Sequence, residues 1–276
     1  MKARWMPLIE TIAPPRWTLP TPASFPTRFR WDLPSPFSGS AIYESPAARE
    51  IMHRSGLTNL DRLFSLTRHS VHGHRGRAVI PIALPGAEKA VPSFIKLNWG
   101  RRRVWPRMTD LKSGQFLKSF PHREWLGIER LREIGLRVPE RIALLRHGVL
   151  RFRDAVVLRE VPPAYSLHDL FANGGWQRLT SELQTELLAA VAKTLAKIHE
   201  AGLAWRGVCT RHFFPAQTAD ETWKLWLIDC EGVHRSHAEK DRRRDHRKMM
   251  KAMNCSAADA ATKEQMAHLL QACRPS

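Results

Sequence analysis

Asp229 follows the short apolar run Leu225-Trp226-Leu227-Ile228 and precedes Cys230-Glu231-Gly232. A lone carboxylate at the end of such a strand suits a hard divalent cation that bridges phosphate oxygens. About twenty residues upstream, Ala204-Trp205-Arg206-Gly207-Val208-Cys209-Thr210-Arg211-His212-Phe213 reads as a loop carrying one imidazole and no carboxylate. Lys96 falls on a short strand, and Glu124 in the first turns of the next helix. A strand lysine held by a helix glutamate places an ammonium where it can meet phosphate groups. Singly, each has an ordinary reading: a surface lysine, a helix-start glutamate favoured by the dipole, a turn aspartate, a structural histidine. Together they point to phosphoryl transfer.

The elements that must position these groups follow from periodicity. Residues 1 to about 50 are rich in Pro and Trp and keep neither a helical nor a strand period, so they read as an extended arm. A short helix is expected from Ala47 to Arg54, and another begins after Thr58 or Asn59 with Leu60, Leu63 and Phe64 on its apolar face. Ala78–Leu84 and Ser93–Leu97 read as strands joined at Pro85-Gly86. A helix from Pro121 to Ile134 carries Trp125, Ile128, Leu131 and Ile134 on one side. Two strands follow, around Ile142–Leu145 and Ala155–Arg159. The strongest helix signal runs from Ser181 to Ala201, where Ser181 and Gln184 fit a capping box and Leu183, Leu187, Leu188, Val191, Leu195 and Ile198 form one stripe. Basic and final helices are expected over Lys240–Met253 and Lys263–Cys273. Strands with one helix, then mostly helices, make an α+β layout with a sheet-rich half and a helical half. The expected organisation is an extension at 1–50, then halves at 51–160 and 161–276.

These pieces, in this order, resemble the lipopolysaccharide kinase family, whose members phosphorylate Kdo or heptose sugars of the inner core. The resemblance covers about Gly56 to Met253. It rests on Phe94-Ile95-Lys96, Arg123-Glu124-Trp125, Gly135-Leu136-Arg137-Val138-Pro139, and Leu158-Arg159-Glu160-Val161 with Ser166-Leu167. It continues through Ile198-His199-Glu200-Ala201-Gly202, His212-Phe213, Leu227-Ile228-Asp229 and Arg244-Asp245-His246-Arg247-Lys248-Met249. It implies a bilobal protein-kinase-like fold, with a sheet-rich N-lobe and a helical C-lobe, that uses ATP and Mg²⁺. It implies that Lys96 and Glu124 are the phosphate-binding pair, Glu160 and Val161 the hinge beside the adenine, and Asp229 the magnesium ligand. His212 takes the slot of a second metal ligand, and Asp245 with its arginines braces the helical half. The sequence departs from the family where the catalytic loop has His-x-Asp, because those slots hold Trp205 and Gly207. Loss of that aspartate removes the group that orients the acceptor hydroxyl, a contribution of typically ~10²–10⁴-fold. An inactive kinase acting as a binding module in envelope biogenesis is therefore the alternative.

Composition narrows the partners. The net charge of +18 calls for an anion. The resemblance makes that anion the lipopolysaccharide inner core or another anionic glycolipid, with peripheral contact to an acidic membrane surface. Nucleic acid is disfavoured, since there is no zinc finger, no paired RNA-binding aromatics and no helix-turn-helix pattern. Cys209, Cys230, Cys255 and Cys273 are scattered, which fits reduced thiols better than disulfides or zinc. His69, His72 and His74 have no cysteine or carboxylate nearby to complete a metal set, so 69–76 reads as a basic lid over an anionic ligand. No apolar run approaches the ~20 residues of a membrane span, and the N-terminus has no secretory pattern. A cytoplasmic protein at the inner face of a Gram-negative inner membrane is expected.

Overall fold

The computed structural model describes residues 40–73, 76–86, 88–101, 118–147, 151–217, 222–256 and 258–272. Cys273, Asp220, Arg102, Arg103 and the Pro/Trp-rich arm up to residue 39 lie outside the described residues, as do His74 and Arg75 of the expected lid. The chain forms two compact units. Of the described residues, one unit holds Ser40 to Leu126 together with Pro139–Glu160, and the other holds Gly127–Val138 and the chain from Val161.

The first unit is built on a sheet. Its elements are β1 (Ser40–Tyr43), α1 (Pro46–Arg54), α2 (Leu60–Ser65), β2 (His72–Gly73), β3 (Arg77–Leu84), β4 (Val91–Arg101), the first half of α3 (Phe120–Glu133), β5 (Arg141–His147) and β6 (Arg151–Arg159). The strands pair antiparallel in the order β1-β5-β6-β4-β3-β2. On β4, side chains alternate between faces. Ile95 and Leu97 enter a core with Met52, Leu63, Ile80, Ile82, Leu145 and Val157, which leaves Lys96 on the opposite face. Helix α1 starts at Ser45, whose hydroxyl accepts from Ala48 N–H, and Pro46 fits the first turn, where its missing donor costs nothing. Of the two expected caps for α2, the structure selects Asn59, which accepts from Arg62 N–H. One expectation is corrected. Residues 40–43 are not periodless arm but an edge strand on β5; three of its four side chains face solvent, so the sequence shows no alternation.

The second unit is mainly helical. It contains the rest of α3, α4 (Leu167–Ala172), α5 (Ser181–Glu200), β7 (Leu203–Trp205), β8 (Phe213–Gln217), β9 (Trp223–Leu227), β10 (Val233–Arg235), α6 (Glu239–Asn254) and α7 (Ala260–Ala272). Leu187, Leu188, Val191, Leu195 and Ile198 of the expected α5 stripe are fully buried. Its cap is corrected by one residue: Thr180 accepts from Leu183 N–H, while the Gln184 amide donates to the carbonyls of Trp176 and Leu179. The reciprocal capping box sits instead at Ser166 and Asp169, opening α4. Strands β7 with β10 and β8 with β9 form two short antiparallel ribbons. Among the described residues, no helix is long and apolar enough to cross a membrane.

Candidate phosphoryl-transfer site

In the sheet unit, the expected pair is formed. Lys96 Nζ donates to Glu124 Oε1 at 2.9 Å, with Glu124 only 1% exposed and Lys96 23%. Because Glu124 is almost dry, the ammonium is held by a charge-assisted bond worth more than a surface ion pair. Glu160 follows β6 and its backbone N–H donates to Pro92 O, tying the end of the strand to the start of β4. Partial desolvation raises its carboxyl above the usual range.

The turn that carries Glu124 rests on further titratable groups. Asp154 is buried, and the loss of water pushes its carboxyl up despite bonds from the Ser119 hydroxyl and the His147 backbone N–H. His122, one turn from Lys118, is lowered from 6.5 to about 4, first by burial and then by the Arg146 and Lys118 charges. Between those two values the unfolded chain binds more protons than the folded one at His122, so this group's contribution holds above 6.5 and is lost as pH falls toward 4. Asp154 acts with the opposite sign over its own window and offsets part of the effect. Urea midpoints measured across that range should fall more steeply for the wild type than for His122→Gln; equal slopes would show that His122 does not carry the effect.

In the helical unit the groups meet around Asp229. The backbone of Asp229 is left-handed, with φ 58° and ψ 50°, a region that aspartate tolerates better than most residues. It stands two residues beyond the end of β9, one further than the sequence pattern suggests, because Ile228 N–H turns to donate to His212 O. The His212 Nε2 lies 3.4 Å from Asp229 Oδ2, and the Asp229 side chain is 43% exposed, open to a ligand. Glu231 offers a carboxylate oxygen within 4.8 Å of one from Asp229. Two hard oxygen donors at that spacing fit a magnesium-type cation better than an imidazole does.

The loop before them is held from below. Trp205 is fully buried. Its backbone N–H donates to Asp245 Oδ2 at 2.6 Å, its indole Nε1–H donates to Asp229 O at 3.3 Å, and its ring stacks on His212 at 5.7 Å. Asp245 also accepts from Arg244 Nε and Nη2 and lies 3.4 Å from His199 Nε2. Arg206 N–H donates to Gly232 O. At Gly232 a side chain would collide with the Arg206 carbonyl, so only glycine lets the two loops approach this closely. Gly207 has φ 105°, and no atom lies within 4 Å of where its Cβ would stand. Burial raises the Cys209 thiol, which makes it a poor nucleophile here.

Lys96 and Glu124 thus meet in one unit, and Asp229, His212 and Glu231 gather in the other; Glu160 closes the sheet unit and Val161 opens the helical one. Neither the nearness of Glu231 to Asp229 nor the Trp205 indole bond to Asp229 was foreseen from the sequence. The available signal was a tryptophan in the slot that precedes the loop.

A chain with a sheet unit in which a strand lysine is held by a helix glutamate, and a helical unit with a looped aspartate, is a kinase-like α+β protein. The chain belongs to the lipopolysaccharide kinase (Kdo/WaaP) family, which matches residues 99–272, more than half its length. The solved structure of WaaP in complex with acyl carrier protein shares the fold, with a TM-score of 0.61 over 86% of this chain and 90% of that one, at 18% identity. No curated protein matches in sequence.

Proposed function

We propose that the chain is an ATP-dependent sugar kinase of lipopolysaccharide, moving the γ-phosphoryl group to a Kdo or heptose hydroxyl of the inner core. The hydroxyl oxygen bonds to phosphorus, the bond to the β-phosphate oxygen breaks, ADP leaves, and the hydroxyl proton passes to phosphate oxygen or water. Lys96, braced by Glu124, positions the phosphates, and Glu160 with Val161 flanks the nucleotide base. Asp229 and Glu231 would hold Mg²⁺, with His212 orienting Asp229. When bound, that ion neutralises charge on the transferring group. The functional halves are the sheet unit and the helical unit, which divide at Glu160 and Val161. The positive net charge supports an anionic glycolipid acceptor at the cytoplasmic face of an inner membrane. The observation that carries the reading is the 2.9 Å bond from Lys96 to the buried Glu124 carboxylate.

Gly207 favours a second reading, an inactive kinase that binds nucleotide without turnover, because no carboxylate stands in the base slot. Phosphoryl transfer is mostly alignment and charge stabilisation, so the first reading allows slow transfer without that base. Incubation with γ-labelled ATP and deacylated inner-core saccharide should label the sugar slowly, and Asp229→Ala should abolish the label. ATP binding with no label on any core acceptor would establish the second reading. Gly207→Asp should not restore full rates. An L-residue at φ 105° costs of order 1–3 kcal/mol, so the loop must shift before a carboxylate can point at the acceptor.

A further inference from the structure

The buried side of α6 is made by Asp245, His246, Met249 and Met253. Its other side exposes Lys240, Arg243, Arg247, Lys248 and Lys251. At 3.6 residues per turn these five fall on one face of the helix, about 140° wide and roughly 16 Å long. Arg244 is not part of it, because Asp241 and Asp245 consume its guanidinium. Arg243 pairs with Glu239. Among the described residues, no carboxylate pairs with Arg247, Lys248 or Lys251. From Arg242 to Met253 the helix has one acidic residue, Asp245, and it is fully buried.

Like charges four residues apart, as in Arg243, Arg247 and Lys251 or Arg244 and Lys248, destabilise a helix by themselves. A helix that faced only water would be steadier with glutamates interspersed. We infer that the α6 stripe docks the protein on the anionic headgroups of a bilayer. The stripe is straight and carries no exposed aromatic, so it lacks the stacking platform that single-stranded nucleic acid requires. It also has no exposed large apolar residue that could insert, so attraction to a flat charged surface, without penetration, fits it best. The inference rests on the proposed glycolipid acceptor for its choice of a membrane over a soluble polyanion.

The full chain, without nucleotide, should sediment with vesicles of phosphatidylcholine plus phosphatidylglycerol and not with phosphatidylcholine alone. Arg243→Gln, Arg247→Gln and Lys251→Gln combined should weaken that binding on the order of 100-fold, about fivefold per residue. The same triple should unfold no earlier on heating, since it relieves repulsion along the helix. A control triple of exposed cations elsewhere, Arg49→Gln, Lys89→Gln and Lys193→Gln, should keep most of the binding. Equal losses in the two triples would overturn the docking stripe in favour of net charge alone. So would a wild type that binds poly-glutamate but ignores the anionic vesicles. Asp229→Ala should still bind vesicles, so failure of sugar phosphorylation and failure of docking are separable.

Discussion

Asp245→Ala is expected to lower the stability of the protein by about 3–5 kcal/mol, the range for removing one partner from a buried charge network. The carboxylate is fully buried and accepts from three kinds of donor: the Trp205 backbone N–H, the Arg244 guanidinium, and the facing His199 imidazole. Alanine would leave a guanidinium facing a dry hole and a backbone N–H with no acceptor, and each carries its own desolvation cost. The damage should also spread to the candidate site, because Trp205 is the residue whose indole holds the Asp229 carbonyl. Asp245→Asn keeps the shape and one acceptor oxygen and should cost clearly less. Urea denaturation of the three proteins measures the ranking. A wild-type midpoint for Asp245→Ala would mean that the network carries no load.

Lys96→Met should have the second large effect, with a divided signature. The methionine keeps the packing volume and removes the ammonium, leaving Glu124 at 1% exposure without that partner. A cost of about 2–4 kcal/mol is expected, somewhat below that of a fully buried pair because Lys96 retains some contact with water. Lys96→Met combined with Glu124→Gln should recover part of the stability, because it deletes the buried charge, yet recover none of the nucleotide affinity. That split separates phosphate binding from mere folding, since a structural pair would move both quantities together.

Much of the frame could be read from residue order, and the reasons are local. Helix α5 was legible because its apolar stripe persists over more than four turns. The α5 cap was displaced by one residue because Thr180 and Ser181 are both competent caps, and only the loop from Trp176 decides between them. Strand β1 left no trace, since an exposed edge strand has no need to alternate. Strands β7, β8 and β10, three to five residues long, are too short to show a period, and ribbon pairing rather than propensity forms them. For the candidate site, Lys96 and Glu124 are 28 residues apart and Trp205 and Asp229 are 24 apart. No spacing rule joins such residues; a lysine on a strand, a glutamate at the start of the next helix and the family resemblance together suggested the first pair. The indole bond was invisible because the slot was judged by what it lacks, a histidine and an aspartate, rather than by what a tryptophan can donate.

Phosphoryl transfer by this chain requires that Lys96 and Asp229 bind a nucleotide. Calorimetric titration of the purified full chain with MgATP, beside Lys96→Met and Asp229→Asn, tests it most directly. Saturable binding by the wild type is expected, with affinity reduced at least tenfold in Lys96→Met, and dependence on magnesium lost in Asp229→Asn. Identical titrations for all three proteins, or no heat from a folded wild type, would contradict a phosphate-binding role for these residues.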